Sequence, residues 1–174
     1  GNTLYGHEIS KREYAARVHN LRSYDAVSRD VLNRWTYPYV PDTRVVPVLN
    51  PESFVHQWGN SYLSPQCEVH AAAVVGKGCL VGAKSVVGEG SNVAHSVIGK
   101  NVVIGKNCVI DGAYLFDGVR IRDGATVTSS VLQEDVVVHE GASVSAGCAL
   151  AAGVVVGKGF VVKPNSRIAL APQP

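Results

Sequence analysis

The sequence has no methionine and only three phenylalanines among its 174 residues. Ordinary cores draw on both, so their scarcity beside 18 glycines points to a narrow, repetitive interior. No CxxC pair occurs. Cys67, Cys79, Cys108 and Cys148 are too far apart for a zinc ribbon or a redox pair. No disulfide framework is implied, and a reduced, cytoplasmic setting is expected. No apolar run approaches the roughly 18 residues of a membrane span, so no membrane partner is expected. Runs of Lys and Arg are missing too, and the net charge is only +2, which argues against direct nucleic-acid binding. Gly1-Asn2-Thr3 does not open a signal peptide, and without an initiator Met the chain reads as a piece of a longer one.

What is present is enough to fold. Apolar residues make up 46% and charged residues 17%, a composition that buries a core. Residues 1–37 stand apart from the rest. Glu13 to Val18 reads as a short strand. Asn20 reads as a helix N-cap. Leu21, Tyr24, Val27, Val31 and Trp35 then recur at spacings of three and four, the apolar stripe of an amphipathic helix, with Arg22, Asp25, Arg29, Asp30 and Arg34 off the stripe. Pro38 is expected to end it. Residues 38–64, with Pro38, Pro41, Pro47 and Pro51, read as a linker lying against the helix or the repeat.

From residue 65 to 170 a six-residue period takes over. Val69, Val75, Val81, Val87 and Val93 are followed, after a five-residue step, by Ile98, Ile104 and Ile110. A second short step leads to Leu115, Ile121 and Val127, and a third to Leu132, Val138 and Val144. Leu150, Val156, Val162 and Ile168 then follow at strict sixes. Gly often comes next, at 76, 82, 88, 99, 105 and 157, where it is expected to supply permissive corner backbone. An aliphatic-Gly hexapeptide repeat is the signature of an all-β parallel β-helix. Three hexads close one triangular coil, and six coils at about 4.8 Å each make a prism roughly 29 Å long. The position four after each aliphatic should also point inward. It holds Cys79, Ser85, Ser91, Val97, Val102, Cys108, Ala125, Val136, Ala142, Cys148, Val154 and Ser166, and Cys67 if the repeat begins at Leu63. The cysteines therefore read as small buried hydrophobes. Tyr114 and Phe160 share this slot and are too large for it, so bulges or an end-cap role are expected.

Little in the repeat points to chemistry. His70, His95 and His139 are the candidate corner bases. His70 and His139 share a face but lie four coils apart, roughly 19 Å, so they cannot share a metal or a substrate. None has an evident orienting carboxylate in a neighbouring coil, and each reads as a solvated corner residue. Lys77, Lys100, Lys106 and Lys158 sit in GK turns that lack the GxxxxGK[ST] spacing of a phosphate loop. Asp111, Asp117, Asp123 and Glu134 read as corner charges that keep the surface soluble. No catalytic, cofactor or metal site is expected.

The stretch EYAARVHNLRSYDAVSRDVLNRWTYP, followed by SVIGKNVVIGKNCVIDGAYLFDGVRI and SVLQEDVVV, resembles the epsilon subunit of eukaryotic translation initiation factor 2B, the guanine-nucleotide exchange factor for initiation factor 2. The resemblance covers nearly all of the chain outside residues 40–62. It implies left-handed coiling, and it makes residues 1–37 the tail of a nucleotidyltransferase-like domain. The chain would be the middle of a three-part subunit, without the C-terminal helical-repeat domain that carries exchange. It would not be an enzyme by itself. Its implied partners are the gamma subunit, the other subunits of the factor and initiation factor 2. Val86, Val103, Val109, Val137, Val155 and Val161 should point outward from their strands, and they are the expected partner-facing residues. The AYLFDGV coil is also similar to coils of sugar-nucleotide pyrophosphorylases. The alternatives are therefore the β-helix of such an enzyme, or a hexapeptide acyltransferase with a corner His in a trimer cleft.

Overall fold

The computed structural model describes residues 5–6, 8–10, 13–43 and 54–170. The expected breaks at Pro47 and Pro51 lie outside the described residues. From Ser61 onward the chain winds into a triangular prism whose three faces are parallel sheets. The inward residue of each strand stacks on its equivalent one coil away. On the first face Leu63, Val81, Ile98, Leu115, Leu132, Leu150 and Ile168 form this column. Val69 to Val156 form it on the second face, and Val75 to Val162 on the third. Nearly all of these side chains are buried in one continuous core, with the rungs at the two ends partly open.

The prism begins earlier than residue 65. Strand β1 (Val55–Gln57) pairs antiparallel with β2 (Ser61–Leu63), and β2 is already the first rung of the first face. The segment read as a linker thus ends in a hairpin that covers one sheet edge, the part of a sheet most open to unwanted pairing.

Two details of the repeat differ from expectation. The first is the job of the glycine after each aliphatic. Positive φ falls elsewhere, on corner residues such as Gly78, His95, Gly112, Ser129 and Gly147. Gly82 and Gly88 are needed for closeness: a Cβ on either would run into the carbonyl of Gly99 or Gly105 in the next coil.

The second is the small inward slot at the short steps. Where a hexad loses a residue, the slot moves from the fourth to the third position. Ser96, Ala113 and Ser130 are buried there, while Val97, Tyr114 and Val131 pair as outward residues on the first face. Val97 and Tyr114 are therefore not interior, and no bulge is needed for the tyrosine. The slot serines bridge coils. Ser85 Oγ donates to Gly99 O at 2.7 Å and accepts from Val102 N–H at 3.0 Å, and Ser91 repeats the pattern with Gly105 and Cys108. Cys79, Cys108 and Cys148 are buried and Cys67 is half-buried. All four are free thiols, and burial pushes Cys67, Cys79 and Cys108 up from the usual thiol range. Phe160 lies in the last coil, 58% exposed, on a shallow cleft with Val154, Val156 and Ile168 at the prism's end.

Helix α1 (Leu21–Leu32) starts where expected. Asn20 Oδ1 accepts from Ser23 N–H and Ser23 Oγ accepts from Asn20 N–H, a reciprocal cap. It ends at Asn33, well before Pro38, because Arg34 takes a left-handed φ of 68°. Trp35 therefore leaves the stripe and is 74% exposed. Glu13 to Val18 forms no strand. It is exposed coil, held where Tyr14 donates to Asp30 at 2.8 Å.

The helix lies on the first face through two tyrosines. Tyr24 meets Tyr114 edge-on at 5.1 Å, and the Tyr114 hydroxyl donates to Asp25 at 2.8 Å. The Tyr62 hydroxyl, from β2, donates to the carbonyl of Leu32 at 2.9 Å. The seated side is Tyr24, Asp25 and Leu32: Tyr24 belongs to the stripe read in the sequence, and Asp25 and Leu32 lie one position round from it. Burial alone would raise the Asp25 carboxyl, but hydrogen bonds from Arg29 and Tyr114 hold it below its usual value. That contribution is present above the ordinary carboxylate pKa and is lost as pH falls through the lowered folded value. Burial and Asp25 together push the Tyr114 phenol far up, so it stays a donor at any working pH.

Three substitutions test this arrangement. Tyr114→Phe should cost about 1 kcal/mol and speed hydrogen exchange of the α1 amides while leaving the prism amides protected, as acidification below the carboxylate range should also do. Ala113→Leu should cost about 1–3 kcal/mol in chemical denaturation by overfilling the slot, whereas Val97→Leu, on the outer surface, should be nearly neutral.

Candidate functional site

The six valines expected to face a partner fall on two faces. Val86, Val103, Val137 and Val155 stand in the outward column of the second face, with Glu68 at its start and Arg120 in its middle. Val109 and Val161 stand on the third face, in register with Val74, Asn92, Thr126 and Ser143. Val155 and Val161 are the most open, at 59% and 60%, while Val86 and Val137 are half-buried. Val74, 58% exposed, belongs to this set and was missed. Its signal was simply its place before Val75 in the first hexads. The first face has no such free column, since α1 covers it.

The histidines stay apart. His70 Nδ1 accepts from Ala72 N–H at 3.1 Å, and His139 Nδ1 lies 3.7 Å from Glu140. His95 differs from expectation: its Nδ1 lies 3.0 Å from Asp111 Oδ1, one coil on, with both side chains about half exposed. The cause is the short step. It places Asp111 and Gly112 beside Ala94 and His95, and Gly112 contributes no side chain, so the aspartate reaches across. An orienting carboxylate is therefore present at one corner.

The GK turns are structural. Lys100 and Lys106 present their backbone N–H groups to Asp117 and Asp123 one coil on, both at 2.8 Å. Lys106 Nζ pairs with Glu89 at 3.0 Å, which lowers the Glu89 carboxyl. Lys77 lies over the Trp58 ring at 4.5 Å. Asp117 and Asp123 thus tie corners together, a role beyond solubility. Among the described residues no group of His, Cys, Asp and Glu is placed to hold a metal ion.

A groove runs where α1 meets the prism. It consists of two adjoining cavities of about 380 Å³ and 330 Å³, joined at Arg29 and Tyr114. One wall is the helix, from Leu21 to Asn33. The other is the corner that carries Gly78, His95, Gly112, Ser129 and Gly147. Arg22, Arg29, Arg167 and Lys77 line it, against one lining carboxylate, Asp25. Asp25 is engaged by Arg29 Nε at 2.9 Å and by Tyr114.

Parallel hexapeptide coils on three faces, opened by one antiparallel hairpin, define a β-helix of hexapeptide repeats. A family model described as the EIF2B subunit epsilon LbH domain matches residues 58–162, more than half of the chain. The chain belongs to that family, that of the left-handed β-helix domain of the initiation factor's epsilon subunit. It is 39% identical over 82 residues to translation initiation factor eIF2B subunit epsilon of Schizosaccharomyces pombe, covering 44% of this chain and 11% of that protein. Over 34 residues it is 56% identical to the subunit of the same name from Dictyostelium discoideum, covering 20% of this chain and 5% of that one. The chain thus spans only a small part of the relatives it matches. Among solved structures, the acetyltransferase domain of PglB from Neisseria gonorrhoeae is similar at 21% identity and a TM-score of 0.37, over 58% of this chain and 53% of that chain. That similarity carries no chemistry over to this chain.

The corner carboxylates give a direct check. Asp123→Ala should cost about 1 kcal/mol by leaving Lys106 N–H without its acceptor, and Asp123→Asn, which keeps the acceptor oxygen, should recover most of the loss in thermal unfolding.

Proposed function

We propose that this chain is an assembly and docking segment of the epsilon subunit of initiation factor 2B and performs no catalytic step of its own. On this reading it pairs with the gamma subunit, helps join the other subunits and helps hold initiation factor 2 in the cytoplasm. The guanine-nucleotide exchange activity of the parent protein is assigned to another part of it. The observation that carries the reading is the pair of flat outward columns with open valines on the second and third faces, set on a rigid prism whose remaining face is taken by its own helix. Flat β-branched surfaces of this kind are the apolar centres that partners cover. Val86, Val103, Val137 and Val155 are proposed as one contact row, and Val109 and Val161, with Val74, as a second.

Among the described residues the His95–Asp111 pair favours a second reading, acyl transfer with His95 as base. Tight trimers that bind acyl-coenzyme A would be required by it.

Val103→Asp and Val137→Asp test the docking reading. Both residues are outward, so the thermal transition should stay within a few degrees of the parent. Affinity for the gamma subunit in a calorimetric titration should fall by about tenfold or more, as for a charge placed in an apolar contact. Unchanged affinity with both variants would remove the second face from the interface, and Val161→Asp puts the same question to the third.

A further inference from the structure

We propose that the groove between α1 and the glycine-rich corner binds an extended acidic polypeptide segment lying parallel to the prism axis. This surface is distinct from the two valine faces, so the inference stands apart from the docking reading.

Length is the first argument. The corner wall runs from Gly59 to Gly147 across five coil steps. That is about 24 Å at 4.8 Å per step, room for about seven residues of extended chain. The wall is low because its residues are small. Gly78, His95, Gly112, Ser129 and Gly147 occupy successive positive-φ positions, and of these only His95 is large.

Charge is the second. The lining holds Lys77, Arg29, Arg22 and Arg167 against Asp25, whose carboxylate is already bound by Arg29 and the Tyr114 hydroxyl. Among the described residues neither Arg22 nor Arg167 has an acidic partner within ion-pair distance. The field stays positive toward the Arg167 end, since residues 141–170 contain Lys158, Lys163 and Arg167 and no Asp or Glu.

The distribution of these cations decides the class of ligand. They are spread along the groove rather than gathered round one point, which suits side chains spaced along a strand better than a single phosphate. No open Trp, Phe or Tyr face for stacking a nucleic-acid base lines the groove among the described residues: Tyr114 is buried edge-on against Tyr24, and Trp58, 83% exposed with Lys77 over its ring, lies outside the lining. At one end Asn33 and Asn60 lie side by side, with Asn60 Nδ2 3.3 Å from Asn33 Oδ1, and their amides can meet a peptide backbone.

The test uses the whole chain and fluorescence anisotropy with a labelled Glu-rich peptide of about seven residues. The peptide should bind, and binding should weaken as salt rises. Its Gln counterpart should bind at least about tenfold more weakly. Arg22→Glu with Arg167→Glu should weaken the acidic peptide by about tenfold, while Lys84→Glu, at an exposed corner outside the groove lining, should leave it unchanged. Should the arginine pair disturb folding by circular dichroism, Arg22→Gln alone, at an exposed side chain, should still weaken binding by about threefold. Equal binding of the Gln peptide, affinity untouched by the arginine substitutions, or tighter binding of oligouridylate would each overturn the proposal. A failure here leaves the gamma-subunit titration with the valine variants untouched, so the two ideas fail separately.

Discussion

Hydrogen bonding between successive coils, one strand spacing apart on three faces at once, is the constraint on which everything else in this molecule rests. Each coil must come back into register after 17 or 18 residues, so its three inward aliphatics land on those of the coil before. The interior is then so narrow that only one aliphatic and one small residue fit per hexad. This explains the composition. Methionine and phenylalanine have no place in such a bore, while Ser, Ala, Cys and Val do. It also explains why a serine such as Ser85 can be fully buried: its hydroxyl finds a carbonyl and an amide in the next coil, at no loss of hydrogen bonding.

The second consequence comes from the coils that are one residue short. Each short step falls at the same corner, leading into the first face. There the small slot moves back to Ser96, Ala113 and Ser130, and the next side chain is turned out. At the middle coil that side chain is Tyr114. A tyrosine facing out needs a cover for its ring and an acceptor for its hydroxyl, and α1 supplies both through Tyr24 and Asp25. The helix in turn makes the groove, and the missing residue brings Asp111 within reach of His95. Deleting one residue from each of three coils thus fixes where the helix sits, which face is closed, and which corner carries charge.

The period, the inward aliphatics, the buried cysteines and the helix cap were legible in the sequence, because each depends on local spacing. The phase of the short hexads was not, since a five-residue step does not say which residue is lost. Tyr114 was accordingly read as interior and Asp111 as a free corner charge. Trp35 was read into the helix because nothing in its spacing reveals that Arg34 turns left-handed. The strands at Val55 to Leu63 were hidden by the prolines before them. The valines were readable as outward residues, but their division between two faces needed the register.

The central claim is that this prism serves as a docking body and not as a self-sufficient enzyme. Its most direct test is the mass of the purified chain by light scattering, alone and then mixed with the gamma subunit. The account predicts that the chain alone does not form a tight trimer and that it enters a stable heterodimer with the gamma subunit. A tight homotrimer that ignores the gamma subunit would contradict it and move attention to His95 and Asp111.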